Sequence, residues 1–273
     1  KENTMKTVLT IAGSDCSGGA GVQADLKTFS AHGLFGMSVI ASVVAENTFR
    51  VIEYQDVRPD IIGKQIDAVF EDIPPEAVKV GMLSCREGML AAAERLRFWK
   101  PAHVVVDPVM YAKNGCALMD PASVDTLIAE VVPLADLVTP NIPEAEKMAG
   151  IAIGIQEEMK QAARIIHAMG CRAVLVKGGH STGEAVDILF DGERDYAFSS
   201  PRINTKNTHG TGCTYSSAIA ANLALGYPLE EAVCRAKRYV TTAIKHSLDL
   251  GRGNGPTHHF YDLYKNGLQE ERA

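Results

Sequence analysis

Apolar residues along this chain fall in short runs, separated by longer stretches with helical spacing. The first run, Met5–Ile11, stops at Ala12-Gly13-Ser14-Asp15 and reads as a buried strand entering a loop. Ala20–His32 follows, with Val22, Leu26 and Phe29 on one helical face. Met37–Ala45 is a second apolar run, and Val51–Val57 alternates like an exposed strand. Pro59 opens a helix that runs through Phe70. Ala77–Gly81, His103–Asp107, Asp136–Thr139 and Cys171–Val176 are further strand-like runs. Helical spacing occupies Glu87–Trp99, Pro121–Val132, Pro143–Ala149 and Glu157–Met169. Ala185–Phe190 and Asp195–Phe198 flank Asp191-Gly192 as a hairpin, and Thr211–Leu225 and Leu229–Leu248 are two late helices.

Strands and helices therefore take turns, and the strands show little alternation of their own. That pattern predicts an α/β fold: one domain over residues 5–265, a central, mostly parallel sheet, and helices on both faces. Ligands of such sheets bind beyond the carboxyl ends of the strands. Attention falls on Gly13, Asp15, Glu46, Met82, Asp107, Asn141, Glu144, Lys177 and His180.

Composition narrows the partners. The 273 residues carry 27 basic and 33 acidic side chains, a net charge of −6. An acidic chain lacks the basic face of a general nucleic-acid or membrane-surface binder. No run of ~18 uncharged apolar residues suggests a membrane span. Lys1–Thr4 reads as a cloning remnant or an alternative start, without the pattern of a signal peptide. The six cysteines (16, 85, 116, 171, 213, 234) form no CxxC pair. Structural zinc is not expected; reduced thiols in a cytoplasmic protein are, most of them as small buried hydrophobes.

Four motifs carry chemistry. Asn207-Thr-His-Gly-Thr-Gly-Cys-Thr214 is a glycine-rich turn feeding a helix of small residues. Free N–H groups at such a helix start form an anion cradle; the competing reading is a tight loop with close helix packing. Ser14–Asp25 places three glycines after the first strand, and Asp25 one turn into the next helix. Asp25 is either a ligand contact or a solvated first-turn acid favoured by the helix dipole. Asp107 and Glu144 end neighbouring strand segments; two such acids suit Mg²⁺, although Asn141 and Glu144 also fit a helix cap. Lys177-Gly-Gly-His180 puts a lysine at a strand end, either as a phosphate partner or as a snorkelling surface cation. No GxxxxGK[ST] occurs, and the first turn is not GxGxxG, so a P-loop and a dinucleotide fingerprint are both excluded.

These segments resemble the ribokinase-like superfamily. The ordered set of AGSD, SGGAG and QADLKTF near the start, then AENT, GML, DPVM, TPN-PEA, KGGH and NTHGTGCT, is similar to the hydroxymethylpyrimidine/phosphomethylpyrimidine kinases of thiamine biosynthesis. The resemblance implies a homodimer with its site at the sheet rim. It implies ATP and Mg²⁺ as cofactors, with a small-molecule pyrimidine alcohol and then its monophosphate as acceptors. It assigns Mg²⁺ to Asp107 and Glu144, and donor contacts to Lys177, Asn141 and Thr208. The backbone of Gly210, Thr211, Gly212 and Cys213 would hold the moving phosphoryl group, and Cys213 would be the base, its thiol lowered by the helix start. The pyrimidine pocket would be Gly13, Asp25, Val44, Glu46, Met82 and Val109. Pyridoxal kinase, with the same chemistry on a pyridine, is the nearest alternative; a non-catalytic pyrimidine sensor is a remote one. Tyr215 and Ser216 depart from the smaller or aliphatic residues commoner there, with no expected consequence. His258-His259 is not read as a metal site.

Overall fold

The computed structural model describes residues 5–111, 118–119, 121–179 and 184–267. Nine strands form one sheet: β1 (Thr7–Gly13), β2 (Phe35–Asn47), β3 (Arg50–Asp56), β4 (Ala77–Val80), β5 (Val104–Val106), β6 (Leu137–Val138), β7 (Val174–Val176), β8 (Ala185–Phe190) and β9 (Asp195–Ser200). Their order across the sheet is β3-β2-β1-β4-β5-β6-β7-β8-β9. The six strands from β2 to β7 are parallel. Antiparallel β3 borders one edge, and the β8–β9 hairpin the other.

The uniformly apolar strands are explained by two cores. Successive strand residues point to opposite faces. Leu9 and Ile11, Val78 and Val80, Val104 and Val106, and Val174 and Val176 enter one core. Val8, Val105 and Leu175 enter the other. The first core is closed by α2 (Pro59–Asp72), α3 (Arg86–Trp99), α4 (Pro121–Thr126), α5 (Ile142–Ala149) and α6 (Gln156–His167). The second is closed by α1 (Gly21–Ala31), α7 (Thr211–Ala224) and α8 (Leu229–Lys245). Helix α7 is buried on every side from Thr214 to Ala224, which its alanines and serines permit.

Three details differ from the sequence reading. The helix expected over 121–132 is regular only to Thr126, then widens over Leu127–Val131 and tightens over Val132–Leu134. Pro133 has no N–H to continue the ladder. A short α9 (Tyr261–Asn266) was not anticipated. Strand β2 runs past Ala45 to Asn47, with an irregularity in its pairing to β3 between Ala45 and Glu46. The extra residue is Ile52, on β3, so β2 keeps its alternation through Glu46.

Because β2 lies on one side of β1 and β4 on the other, the strand order reverses at β1. The crevice beyond the carboxyl ends there is the expected ligand position.

Candidate active site

A cavity of about 910 Å³ opens along this carboxyl edge, within the usual size range of small-molecule sites. Strand order lays out its lining. Gly13, Glu46 and Met82 come from the ends of β1, β2 and β4. Asp107, Asn141 and Lys177 follow β5, β6 and β7, and Asp187 lies on β8. The loop Thr208–Cys213 lines the same cavity.

In the middle of the cavity, Lys177 Nζ donates to Asp107 Oδ1 at 2.7 Å. Thr139 Oγ1 donates to the same oxygen at 3.1 Å, and Ser216 Oγ reaches Asp107 Oδ2 at 3.4 Å. Burial disfavours the Asp107 charge, but the Lys177 and Lys79 ammonium groups outweigh it and hold the carboxyl below its ordinary range. Lys177 is raised in turn: burial opposes its charge, and the Asp107 and Glu144 carboxylates more than compensate. Asn141 and Glu144 form a complete capping box at the start of α5. Asn141 Oδ1 accepts from Glu144 N–H at 2.9 Å, and Glu144 Oε2 accepts from Asn141 N–H at 2.8 Å. The helix-cap reading is thus realised, and both residues still line the cavity. Burial, with the Asp107 charge adding to it, pushes the Glu144 carboxyl up to about 7 despite Lys177.

The cradle begins at Gly210, whose φ of +75° places it in the left-handed region. A Cβ there would meet the Gly19 carbonyl oxygen at 1.8 Å, so glycine is required twice over. A Cβ on Gly212 would stand 3.4 Å from Asp107 Oδ2 and 3.6 Å from Lys177 Nζ. The N-terminus of α7 therefore faces the Asp107–Lys177 pair. The expected lowering of the Cys213 thiol is overturned: burial pushes it up to about 11, the Asp25 and Asp107 charges add to this, and Lys79 only partly offsets them. A helix start lowers an open thiol, whereas Cys213 is partly buried near two carboxylates.

At the β1–β2 end of the cavity, Met82 Cε lies 3.0 Å from where a Gly13 Cβ would be. Gly13, Met82, Val109 and Glu46 line the cavity together. Two expected pocket residues do not. Val44 is buried at 3% exposure outside the lining. Asp25 is not the solvated first-turn acid that was one of its two expected readings. It is fully buried, bound to Lys79 Nζ at 2.9 Å, to Thr10 Oγ1 at 2.6 Å and to Ser217 Oγ at 2.7 Å. Lys79 is equally buried, yet Asp25, Cys213 and Asp107 hold its charge above the ordinary lysine range. It reaches the floor of the cavity beside Cys213. The sequence reading passed over Lys79, although a lysine in the middle of Ala77-Val-Lys-Val80 was the available signal.

Asp15 was singled out by its place after β1, but its partner His209 was not. His209 Nε2 lies 2.8 Å from Asp15 Oδ2. These two and Glu46 bring their ligand-type atoms within 4.8 Å of one another. Both Asp15 oxygens are already occupied, by Ser17 N–H and Oγ–H on one side and by Gly19 and Ala20 N–H on the other. The cluster is therefore a hydrogen-bonded one. Glu46 is pushed up to about 7, first by burial and then by the Asp15 charge, against the pull of His209.

Beyond β7, Lys237 Nζ donates to Asp187 Oδ2 at 2.6 Å, and Asp187 Oδ1 accepts from Gly178 N–H at 2.9 Å. Tyr215, to which no consequence was attached, is buried in this wall, and its phenol is pushed well up by burial and by the Asp187 charge. His259 Nε2 lies 3.0 Å from Thr214 Oγ1, a structural contact on α7. Of the five described cysteines Cys171 is buried, Cys85, Cys213 and Cys234 are partly buried and Cys16 is exposed, against the expectation of mostly buried thiols. His180 and Cys116 lie outside the described residues.

The family profile described as phosphomethylpyrimidine kinase matches residues 15–258. The hydroxymethylpyrimidine/phosphomethylpyrimidine kinase of Rhizobium meliloti is 53% identical over 262 residues, covering 94% of this chain and 98% of that protein. The thiamine biosynthesis bifunctional protein ThiED of Geobacter sulfurreducens is also 53% identical, over 93% of this chain; the chain spans 52% of that protein's length. The ADP complex of Bacillus subtilis pyridoxal kinase superposes with a TM-score of 0.87 at 38% identity, covering 94% of this chain and 98% of that one. No helix among the described residues is long and apolar enough to cross a membrane. Sequence, fold and cavity agree that this chain belongs to the phosphomethylpyrimidine kinase family, with a ribokinase-like fold.

Proposed function

We propose that this chain uses ATP to phosphorylate 4-amino-5-hydroxymethyl-2-methylpyrimidine, and then its monophosphate, in thiamine biosynthesis. The observation that carries this reading is Glu46, at the end of β2, which lines the same cavity as Lys177, Asp107 and the glycine-rich turn Thr208–Cys213. A carboxyl group that gains its proton near neutrality fits an aminopyrimidine in either form. It donates to the ring nitrogen as the acid, or accepts from the protonated ring as the anion, and takes the amino N–H in both. The ADP complex of the Bacillus relative supports a nucleotide donor.

Phosphoryl transfer needs positioning and charge neutralisation more than covalent help. Lys177 would contact the donor phosphates, with Asn141 and Thr208 beside them. The N–H groups of Gly210–Cys213 would take the charge of the moving phosphoryl group. The donor set suits Mg²⁺: Glu144 holds its proton to about 7 beside Asp107, and a dication is the natural replacement for that proton. When bound by Asp107 and Glu144, Mg²⁺ would neutralise the phosphate oxygens. Cys213 would accept the alcohol proton only through its minor thiolate fraction, since burial holds it as the thiol. In a loose transition state the alcohol loses its proton late, which tolerates a scarce base.

A homodimer is proposed on the resemblance. The β2–β3 hairpin carries exposed apolar residues, Val43, Ile52 and Tyr54, available for such a contact. The activity is tested by incubating the chain with ATP, Mg²⁺ and the pyrimidine alcohol and weighing the products. Successive gains of one and two phosphates are expected; no phosphorylated pyrimidine would overturn the reading.

A further inference from the structure

The Asp15–His209 pair ties two parts of the site that belong to opposite ends of the sequence. Asp15 is fully buried and gathers the turn that follows β1, accepting from Ser17 N–H at 2.7 Å, Gly19 N–H at 2.9 Å and Ala20 N–H at 2.7 Å. His209 stands immediately before the cradle glycine, Gly210. Its backbone is fixed by a bond to the Gly255 carbonyl at 3.1 Å, and its ring reaches Asp15 at 2.8 Å. The two loops interlock sterically. A Cβ on Gly19 would stand 2.4 Å from His209 Cδ2, and one on Gly210 would stand 1.8 Å from the Gly19 carbonyl oxygen. The ring of His209 is the polar pin through this contact.

Glu46 is the third member. It faces Asp15 from the loop after β1 and His209 from the loop before α7, while the Cys16 thiol lies against its backbone, 3.0 Å from the carbonyl oxygen and 3.4 Å from the N–H. Across the strand pair it meets the apolar Val51 of β3. We propose that His209 is a positioning residue for the acceptor site: it pins the cradle to the acceptor loop through Asp15, and its ring sits against the Asp15 carboxylate beside the Glu46 carboxyl. The inference rests on the reading of Glu46 as the contact for the aminopyrimidine.

The consequence has a definite sign. The bound pair of carboxyl group and aminopyrimidine holds one proton between them. Affinity therefore falls as pH rises through the Glu46 value of about 7, by about tenfold for each pH unit beyond it. His209 pulls that value down and Asp15 pushes it up. Replacing His209 with Gln keeps an N–H donor in reach of Asp15 and removes the downward pull of His209 on Glu46, so the fall should begin at higher pH. Replacing Asp15 with Asn deletes the negative charge, so the fall should begin at lower pH.

The test is calorimetric titration of the pyrimidine alcohol into wild type, His209→Gln and Asp15→Asn, without nucleotide, from about pH 6 to 9. Thermal melting checks that each variant is folded, and His209→Gln carries the test alone if Asp15→Asn is not. The expected result is a midpoint displaced upward in His209→Gln and downward in Asp15→Asn. Affinity lowered equally at every pH, with the wild-type midpoint, would reduce His209 to a structural link and overturn the proposal. Absence of binding in wild type would instead overturn the acceptor reading on which it stands.

Discussion

Lys177 and Asp107 meet at 2.7 Å although their strands, β7 and β5, are not neighbours; β6 runs between them. The lysine thus bridges the rim above β6, where its own backbone pairs with Asn141. This bridge joins the predicted donor contact to a predicted metal ligand. Replacing Lys177 with Met leaves Asp107 buried without its first partner, a change that typically costs about 3–5 kcal/mol. The sign with pH follows from Asp107, whose carboxyl is held low in the fold. Its contribution is present above the ordinary carboxylate range and is lost as pH falls through the folded value. Melting of Lys177→Met against wild type should therefore show a large gap at pH 7 that narrows in acid. Equal melting temperatures at pH 7 would contradict the bridge.

The cradle glycine makes a steric prediction. Gly210→Ala combines a left-handed φ with a Cβ placed 1.8 Å from a backbone oxygen. The loop must move, at a cost of about 1–3 kcal/mol for the strained conformation alone, and the N–H groups move with it. Turnover should collapse in a protein that still folds. Gly226→Ala, also at positive φ but with open space around its Cβ, should lose stability without losing turnover. Similar turnover in the two variants would argue against the cradle.

Cys213 is predicted to act from a high thiol value of about 11. At saturating substrates, kcat should climb as pH rises from 7 towards that value. Cys213→Ala should flatten the profile and lower turnover by about 10²–10⁴, the usual scale for losing a general base. ATP affinity should stay within about threefold, because the thiol makes no donor contact in this scheme. A variant that keeps more than half of the wild-type turnover would leave Cys213 as lining only.

Metal removal is equally direct. Excess chelator should abolish phosphorylation, and Asp107→Asn should raise the Mg²⁺ concentration needed for half-maximal rate by at least about tenfold, as expected for the loss of one of two carboxylates from a weakly held ion. Undiminished product in chelator would remove Mg²⁺ from the scheme.

Much of the fold was legible because parallel strands buried on both faces must be apolar at every position, and those runs stand out in the sequence. Capping was legible too, since the spacing of Asn141 and Glu144 is local. The Asp25–Lys79 and Asp15–His209 pairs were not. Their members lie 54 and 194 residues apart, and only the topology brings them together. The Cys213 thiol was misjudged for a related reason: the helix start is visible in the sequence, but the burial that outweighs it is not. Tyr215 was dismissed because it stands on the helix past Cys213, away from the expected chemistry, whereas it also lines the cavity.

The central claim is that this site is built for an aminopyrimidine alcohol, and Glu46 is where it is most exposed to contradiction. A phenolic oxygen, which pyridoxal presents at the comparable place, ionises readily and would face the carboxylate as a like charge. A site organised around polar complementarity rejects a mismatched ring more strongly than an apolar wall does. The most direct measurement is kcat/KM for the pyrimidine alcohol and for pyridoxal, in wild type and in Glu46→Ala, with ATP and Mg²⁺ held saturating. The account predicts a clear preference for the pyrimidine that shrinks by at least about tenfold in the variant, with KM for ATP little changed. Equal efficiency on pyridoxal in wild type, or a preference untouched by the loss of Glu46, would contradict it.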